Sequence, residues 1–86
     1  MKEFQVIAID VTNKPKEIPM SSWIVEGEIY TVIQVDKLTK DGNNYGFKLK
    51  EIDLDFYFPY IYFNANRFIP VDSLQVPNEL SKVYLN

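Results

Sequence analysis

Apolar and polar positions fall into short runs along this chain, broken repeatedly by turn-forming residues, which is the signature of β-strands. From Phe4 to Val11, Phe4, Val6 and Ala8 alternate with Gln5, Ile7 and Ile9. Both faces are largely apolar, as expected of an early strand inside a small barrel. Asn13-Lys14-Pro15 ends it, because proline lacks a ladder donor and asparagine favours turns. Lys16 to Glu28 reads as a long ordered loop, with Ile18, Met20, Trp23 and Ile24 folding back on the core. Within it, Ser21-Ser22 is expected to start a short helical turn that ends near Gly27. The second strand spans Ile29 to Lys37, where Thr31, Val32, Ile33 and Val35 are β-branched. Lys40-Asp41-Gly42-Asn43-Asn44 is a hairpin turn signal. A third strand runs from Tyr45 to Ile52, with Tyr45, Phe47 and Leu49 on one face and Lys48 and Lys50 on the other.

Beyond it, Asp53 to Pro59 reads as a turn or irregular return, and Tyr60 to Phe63 as a fourth strand. Asn64-Ala65-Asn66 is a tight or 3₁₀ turn leading into a fifth strand, Arg67 to Val71. Pro77 to Tyr84 predicts one or two turns of helix. The expectation is one mainly β domain over residues 1–86. Its five-stranded antiparallel barrel occupies about 4–71, and a C-terminal extension covers 72–86.

Three segments carry a resemblance. Val25-Glu26-Gly27-Glu28-Ile29-Tyr30-Thr31-Val32 looks like the turn into the second strand of SH3-like barrels. Gly46-Phe47-Lys48-Leu49-Lys50-Glu51 resembles the third strand of that fold, and Phe63-Asn64-Ala65-Asn66-Arg67-Phe68-Ile69-Pro70-Val71 its 3₁₀ turn and closing strand. The same layout, Trp with Gly-Glu-Xaa-Tyr-Thr-Val and Asn-Arg-Phe, resembles a family of small uncharacterised proteins to which it attaches no activity. The resemblance implies an SH3-like barrel over about residues 24–71. It does not bring the peptide groove of SH3 domains with it. That groove uses aromatics near the end of the first strand, where this chain has Ala8-Ile9-Asp10-Val11. It uses a tryptophan at the start of the third strand, where this chain has Tyr45 or Phe47. A proline and a tyrosine near the 3₁₀ turn are replaced by Asn64 and Arg67.

Composition narrows the chemistry. The 86 residues are 47% apolar and 15% aromatic, enough for a packed core and too much for a disordered chain. Cysteine and histidine are absent. Disulfides, thiolate metal sites and a cysteine nucleophile are therefore excluded, and so are the commonest metal ligand and the commonest general base. The formal net charge of −3 opposes non-specific binding to phosphates. No run reaches the roughly 20 apolar residues that span a membrane, and Met1-Lys2-Glu3-Phe4-Gln5 lacks a signal-peptide pattern. An intracellular, cytoplasmic protein without a membrane partner is expected.

Candidate sites are few. Serine has no histidine to activate it, and three unclustered glycines cannot cradle phosphates. Asp53 with Asp55, and Glu26 with Glu28, are spaced to share a face but have no third ligand, so solvated charge is expected. Lys37 to Lys48 fails as a calcium loop, with lysine at both terminal ligand positions.

The unusual feature is Phe56-Tyr57-Phe58-Pro59-Tyr60-Ile61-Tyr62-Phe63. As a strand it sets Phe56 and Phe58 opposite Tyr57, then Ile61 and Phe63 opposite Tyr60 and Tyr62. The tyrosines then either form an exposed contact surface or cover the rim of a small core. Trp23 is a core plug beside Met20 and Ile24, or a contact residue. Arg67, the one arginine, forms an ion pair or stacks on a ring such as Tyr62.

The reading that follows is a non-enzymatic protein-interaction or assembly module without cofactor or metal. Its candidate contact surface is Trp23, Tyr45, Tyr57, Tyr60, Tyr62 and Arg67, for a second copy or a larger protein. The alternative is an accessory nucleic-acid-associated domain using Lys48 and Lys50 beside Tyr45.

Overall fold

Runs of β-branched and aromatic residues become five antiparallel strands in the computed structural model, which describes residues 2–39 and 42–72. They are β1 (Phe4–Ala8), β2 (Ile29–Lys37), β3 (Tyr45–Leu49), β4 (Phe63–Asn64) and β5 (Phe68–Pro70). The sheet order is β4-β3-β2-β1-β5. The long β1–β2 loop, the sheet order and a 3₁₀ turn (Ala65–Arg67) between β4 and β5 make this a curled, SH3-like half-barrel. Two further 3₁₀ turns cover Met20–Ser22 and Asp55–Tyr57. The helix expected over Pro77 to Tyr84 lies outside the described residues, as do Lys40 and Asp41 of the hairpin turn.

The β2 boundaries match the sequence reading, while the other strands are shorter than expected. β1 stops at Ala8 because the Ile9 and Asp10 amides both donate to the Arg67 carbonyl, and the Asp10 carboxylate then accepts from the Thr12 amide and hydroxyl. This side-chain turn replaces the ladder. β3 ends at Leu49 and not Ile52, and β4 is Phe63–Asn64 and not Tyr60 to Phe63. The turn at Ser21-Ser22 closes at Ser22, where the Trp23 amide donates to Met20, and does not continue to Gly27. Gly27 sits at φ +85°, where a side chain would be strained, and its amide donates to Ala8 to pinch the base of the long loop.

One irregularity in β2 decides which side chains face outward. Val32 lies opposite Leu49 and Gln34 opposite Lys48, so Ile33 is the extra residue of a β-bulge. Before it Tyr30 and Val32 are buried; after it Val35, opposite Phe47, takes over the inward face. Ile33 is turned out and is 41% exposed.

The core gathers on the concave side. Phe63 packs against Trp23 and Phe68, with ring centroids 5.2 and 6.2 Å away. Val6, Ala8, Val32 and Leu49 come from the central strands, and Ile18 and Ile24 from the long loop. Leu54 plugs the core from the β3–β4 connection. Among the described residues no polar or charged side chain is buried.

Candidate contact surface

The β3–β4 connection is built on turns. The Asp53 carboxylate accepts from the Asp55 amide at 2.9 Å, which starts the 3₁₀ turn. Tyr57 donates its amide to Leu54 at 2.9 Å, and Tyr60 donates to Tyr57 at 2.7 Å. In a 3₁₀ turn, positions three apart eclipse. Leu54 and Tyr57 therefore share the inner side, Leu54 buried and Tyr57 packed on the core. Phe56 and Phe58 are thrown outward, 92% and 78% exposed. The turn expected over Asp53 to Pro59 is present, whereas the strand expected from Tyr60 begins only at Phe63, and the faces that strict alternation assigns to the aromatic stretch are reversed. Tyr57 is an anchor, and phenylalanine carries the exposed apolar surface. Tyr60 is also exposed, while Ile61 and Tyr62 are half-buried.

Tyr62 crosses the sheet over Gly46. A Cβ on Gly46 would stand 2.7 Å from the Tyr62 Cβ and 2.8 Å from the Leu38 Cδ2, so only glycine lets the ring pass. The Tyr62 hydroxyl donates to Asp36, which also accepts from the Gln34 amide group. Lys48 lies 5.6 Å from the Tyr62 ring centroid and pairs with Asp55 at 3.0 Å. The hydrogen bonds from Tyr62 and Gln34 hold the Asp36 carboxyl below its usual value. The same bond raises the Tyr62 hydroxyl, and the Asp55 hydrogen bond raises the Lys48 ammonium. Tyr62 is thus tied down within a polar row across the outer sheet face.

Beside this row lies an open cleft of about 330 Å³. Its apolar lining includes Ile33, Leu49, Ile52, Leu54, Ile61 and Phe63. Its charged lining is Lys48, Lys50, Asp53 and Asp55. The bulge supplies Ile33, and the turn that starts at Asp53 supplies the far wall.

The remaining sequence candidates lie elsewhere. Trp23 is the core plug: it is 7% exposed and its indole N–H donates to the Val11 carbonyl at 2.8 Å. Met20, expected beside it, is 73% exposed. Arg67 stacks on Trp23, 5.0 Å from the ring centroid, and not on Tyr62. Its guanidinium donates to the Thr12 carbonyl at 2.6 Å and the Asp10 carbonyl at 3.2 Å, and approaches the Asp10 carboxylate at 3.7 Å. Trp23 and Arg67 thereby lock the long loop. Tyr45 opens β3 opposite Lys37, at the end of that strand away from Leu49 and the cleft.

Of the six candidates, the structure therefore brings Trp23 and Arg67 together at the long loop, leaves Tyr57, Tyr60 and Tyr62 on the β3–β4 connection, and sets Tyr45 apart. Sequence reasoning missed Phe56, Phe58 and the cleft. The turn over Asp53 to Pro59 was itself expected, but its 3₁₀ spacing, which sets Leu54 and Tyr57 together on the inner side, was not. Among the described residues no three metal-ligating side chains converge, and no helix is long and apolar enough to cross a membrane. No protein-family model, curated protein or solved structure matches this chain significantly, so its function is read from these side chains alone.

Proposed function

We propose that this protein is a non-enzymatic interaction module that docks to protein through Phe56, Phe58 and Tyr60 beside the cleft. The carrying observation is the presentation of the two phenylalanines. They are almost fully exposed, yet the turn beneath them is anchored by buried Leu54 and by Tyr57. Large apolar side chains presented to water on an anchored turn are the usual makings of a contact surface, because the backbone beneath them has little ordering entropy left to lose on binding. The sequence supports a non-catalytic reading through its lack of histidine and cysteine. The nucleic-acid alternative is weakened by Lys48, whose charge is already engaged by Asp55. Asp53 and Asp55 flank the turn and oppose an anionic lipid surface.

Photocrosslinking in the producing cell tests this. Benzoylphenylalanine at position 56 or 58 is expected to trap discrete protein adducts, whereas the same group at exposed Glu17 on the long loop traps none. Absence of adducts from both phenylalanine positions would overturn the proposal.

A further inference from the structure

We infer that the contact face is self-complementary and that its occupant is a second copy of this chain, related by a two-fold axis. This rests on the interaction-module reading above. A two-fold contact uses the same patch on both copies, so the patch must carry each feature together with its complement.

Shape meets that condition. Asp55 lines the cleft, and the exposed Phe56 and Phe58 belong to the turn that it opens. Roughly 150 Å³ of apolar space is enough to hold a benzene ring. The cleft offers about 330 Å³, its apolar part lined by isoleucine, leucine and phenylalanine and the rest by polar and charged side chains. The turn that borders the cleft at Asp55 therefore also carries an exposed aromatic knob, and the partly apolar cleft has room for one ring.

Charge meets it as well. The cleft is lined by two lysines, Lys48 and Lys50, and two aspartates, Asp53 and Asp55. Lys48 and Asp55 neutralise each other within one copy. Lys50 and Asp53 are exposed, and neither takes part in the two side-chain ion pairs of the described residues. A copy turned about a two-fold axis brings its Asp53 toward Lys50 and its Lys50 toward Asp53. A strongly basic or acidic partner would leave one of these charges opposed. The contact is one turn and one cleft, so a weak, concentration-dependent dimer is expected.

The test is molar mass by light scattering over a concentration series on the full chain. The native protein is expected to climb from one chain mass toward two. The Phe56→Ser/Phe58→Ser variant should stay at one while keeping its unfolding transition. A second arm does not depend on removing aromatics. Lys50→Asp, which leaves the Asp53 turn intact, is expected to remain monomeric, while Lys50→Arg, which keeps the charge, is expected to dimerise as the native chain does. Native protein that stays monomeric throughout overturns the inference, as does a serine variant that associates as well as the native chain. Phe58-dependent co-sedimentation with phosphatidylcholine vesicles by a protein that never doubles its mass overturns it too. If the chain is monomeric but position 56 still crosslinks to another protein, the self-association falls and the interaction-module reading stands. Without adducts of any kind, both fall.

Discussion

Arg67 and Trp23 show how single residues fix a long loop in a small β protein. The backbone bonds of the loop between β1 and β2 are mostly local turns and contacts at its base, so side chains carry the long-range ties that fix its middle. Arg67 reaches across from the last 3₁₀ turn, stacks on Trp23 and caps the Asp10 and Thr12 carbonyls. Its side chain is 17% exposed, so these contacts are only partly screened by water. Arg67→Ala is expected to cost about 1–3 kcal/mol, for a partly desolvated cation–π contact and two charge-assisted hydrogen bonds. Arg67→Lys should recover little of it, because a point-like ammonium cannot stack and fork at once. Urea unfolding followed by the fluorescence of Trp23, the single tryptophan, reads both values. A lysine variant as stable as the native chain would show that charge alone matters there. At this scale the sequence was half legible. A lone arginine needing a partner could be inferred, but the choice between Trp23 and Tyr62 depends on which loop folds over the 3₁₀ turn. The need for Gly46 was invisible, because it comes from Tyr62, sixteen positions on, crossing above it.

The β3–β4 connection makes the corresponding point for an element. β2 was legible because local propensity and its place at the sheet centre agree. The turn over Asp53 to Pro59 was legible, since aspartate and Pro59 favour turns over a ladder, but which aromatics it turns inward was not, because alternation was assumed within the aromatic stretch. The bulge at Ile33 was likewise beyond a reading based on strict alternation, since one extra residue reverses the faces of everything after it. The corrected assignment has a direct consequence for stability. Leu54→Ala removes a buried core contact and is expected to destabilise by about 2–5 kcal/mol. Phe56→Ser, two positions on, should change stability by no more than about 0.5 kcal/mol, as for an exposed residue. Thermal unfolding of the two variants side by side at low protein concentration, where self-association does not contribute, separates them. Similar losses from both would place Phe56 in the core beside Leu54.

For the molecule as a whole, the side-chain bonds of the outer face set how stability responds to pH. Asp36 has a folded-state pKa below its unfolded value, through Tyr62 and Gln34. Its contribution is present above the ordinary carboxylate range and is lost as pH falls through the folded value. Asp10, lowered by its Thr12 bonds, acts in the same direction. So does Glu51, where burial pushes upward but the Thr31 bonds prevail. Tyr62 and Lys48 are raised, so their contributions hold below their unfolded values, about 10 for both, and fade as pH rises through the folded ones. A stability plateau with decline at both the acid and the alkaline end is expected. The two limbs are not independent, because the Asp36–Tyr62 hydrogen bond contributes to each. Tyr62→Phe should therefore flatten the alkaline limb, where it removes the titrating group, and also shallow the acid limb, where it removes a donor to Asp36. Asp36→Asn should do the same from the other side, and the double variant should add little to either. Melting temperature across the pH range tests the coupling: if Tyr62→Phe changes the alkaline limb alone, the hydrogen bond is not what lowers Asp36, and Gln34 must carry that role.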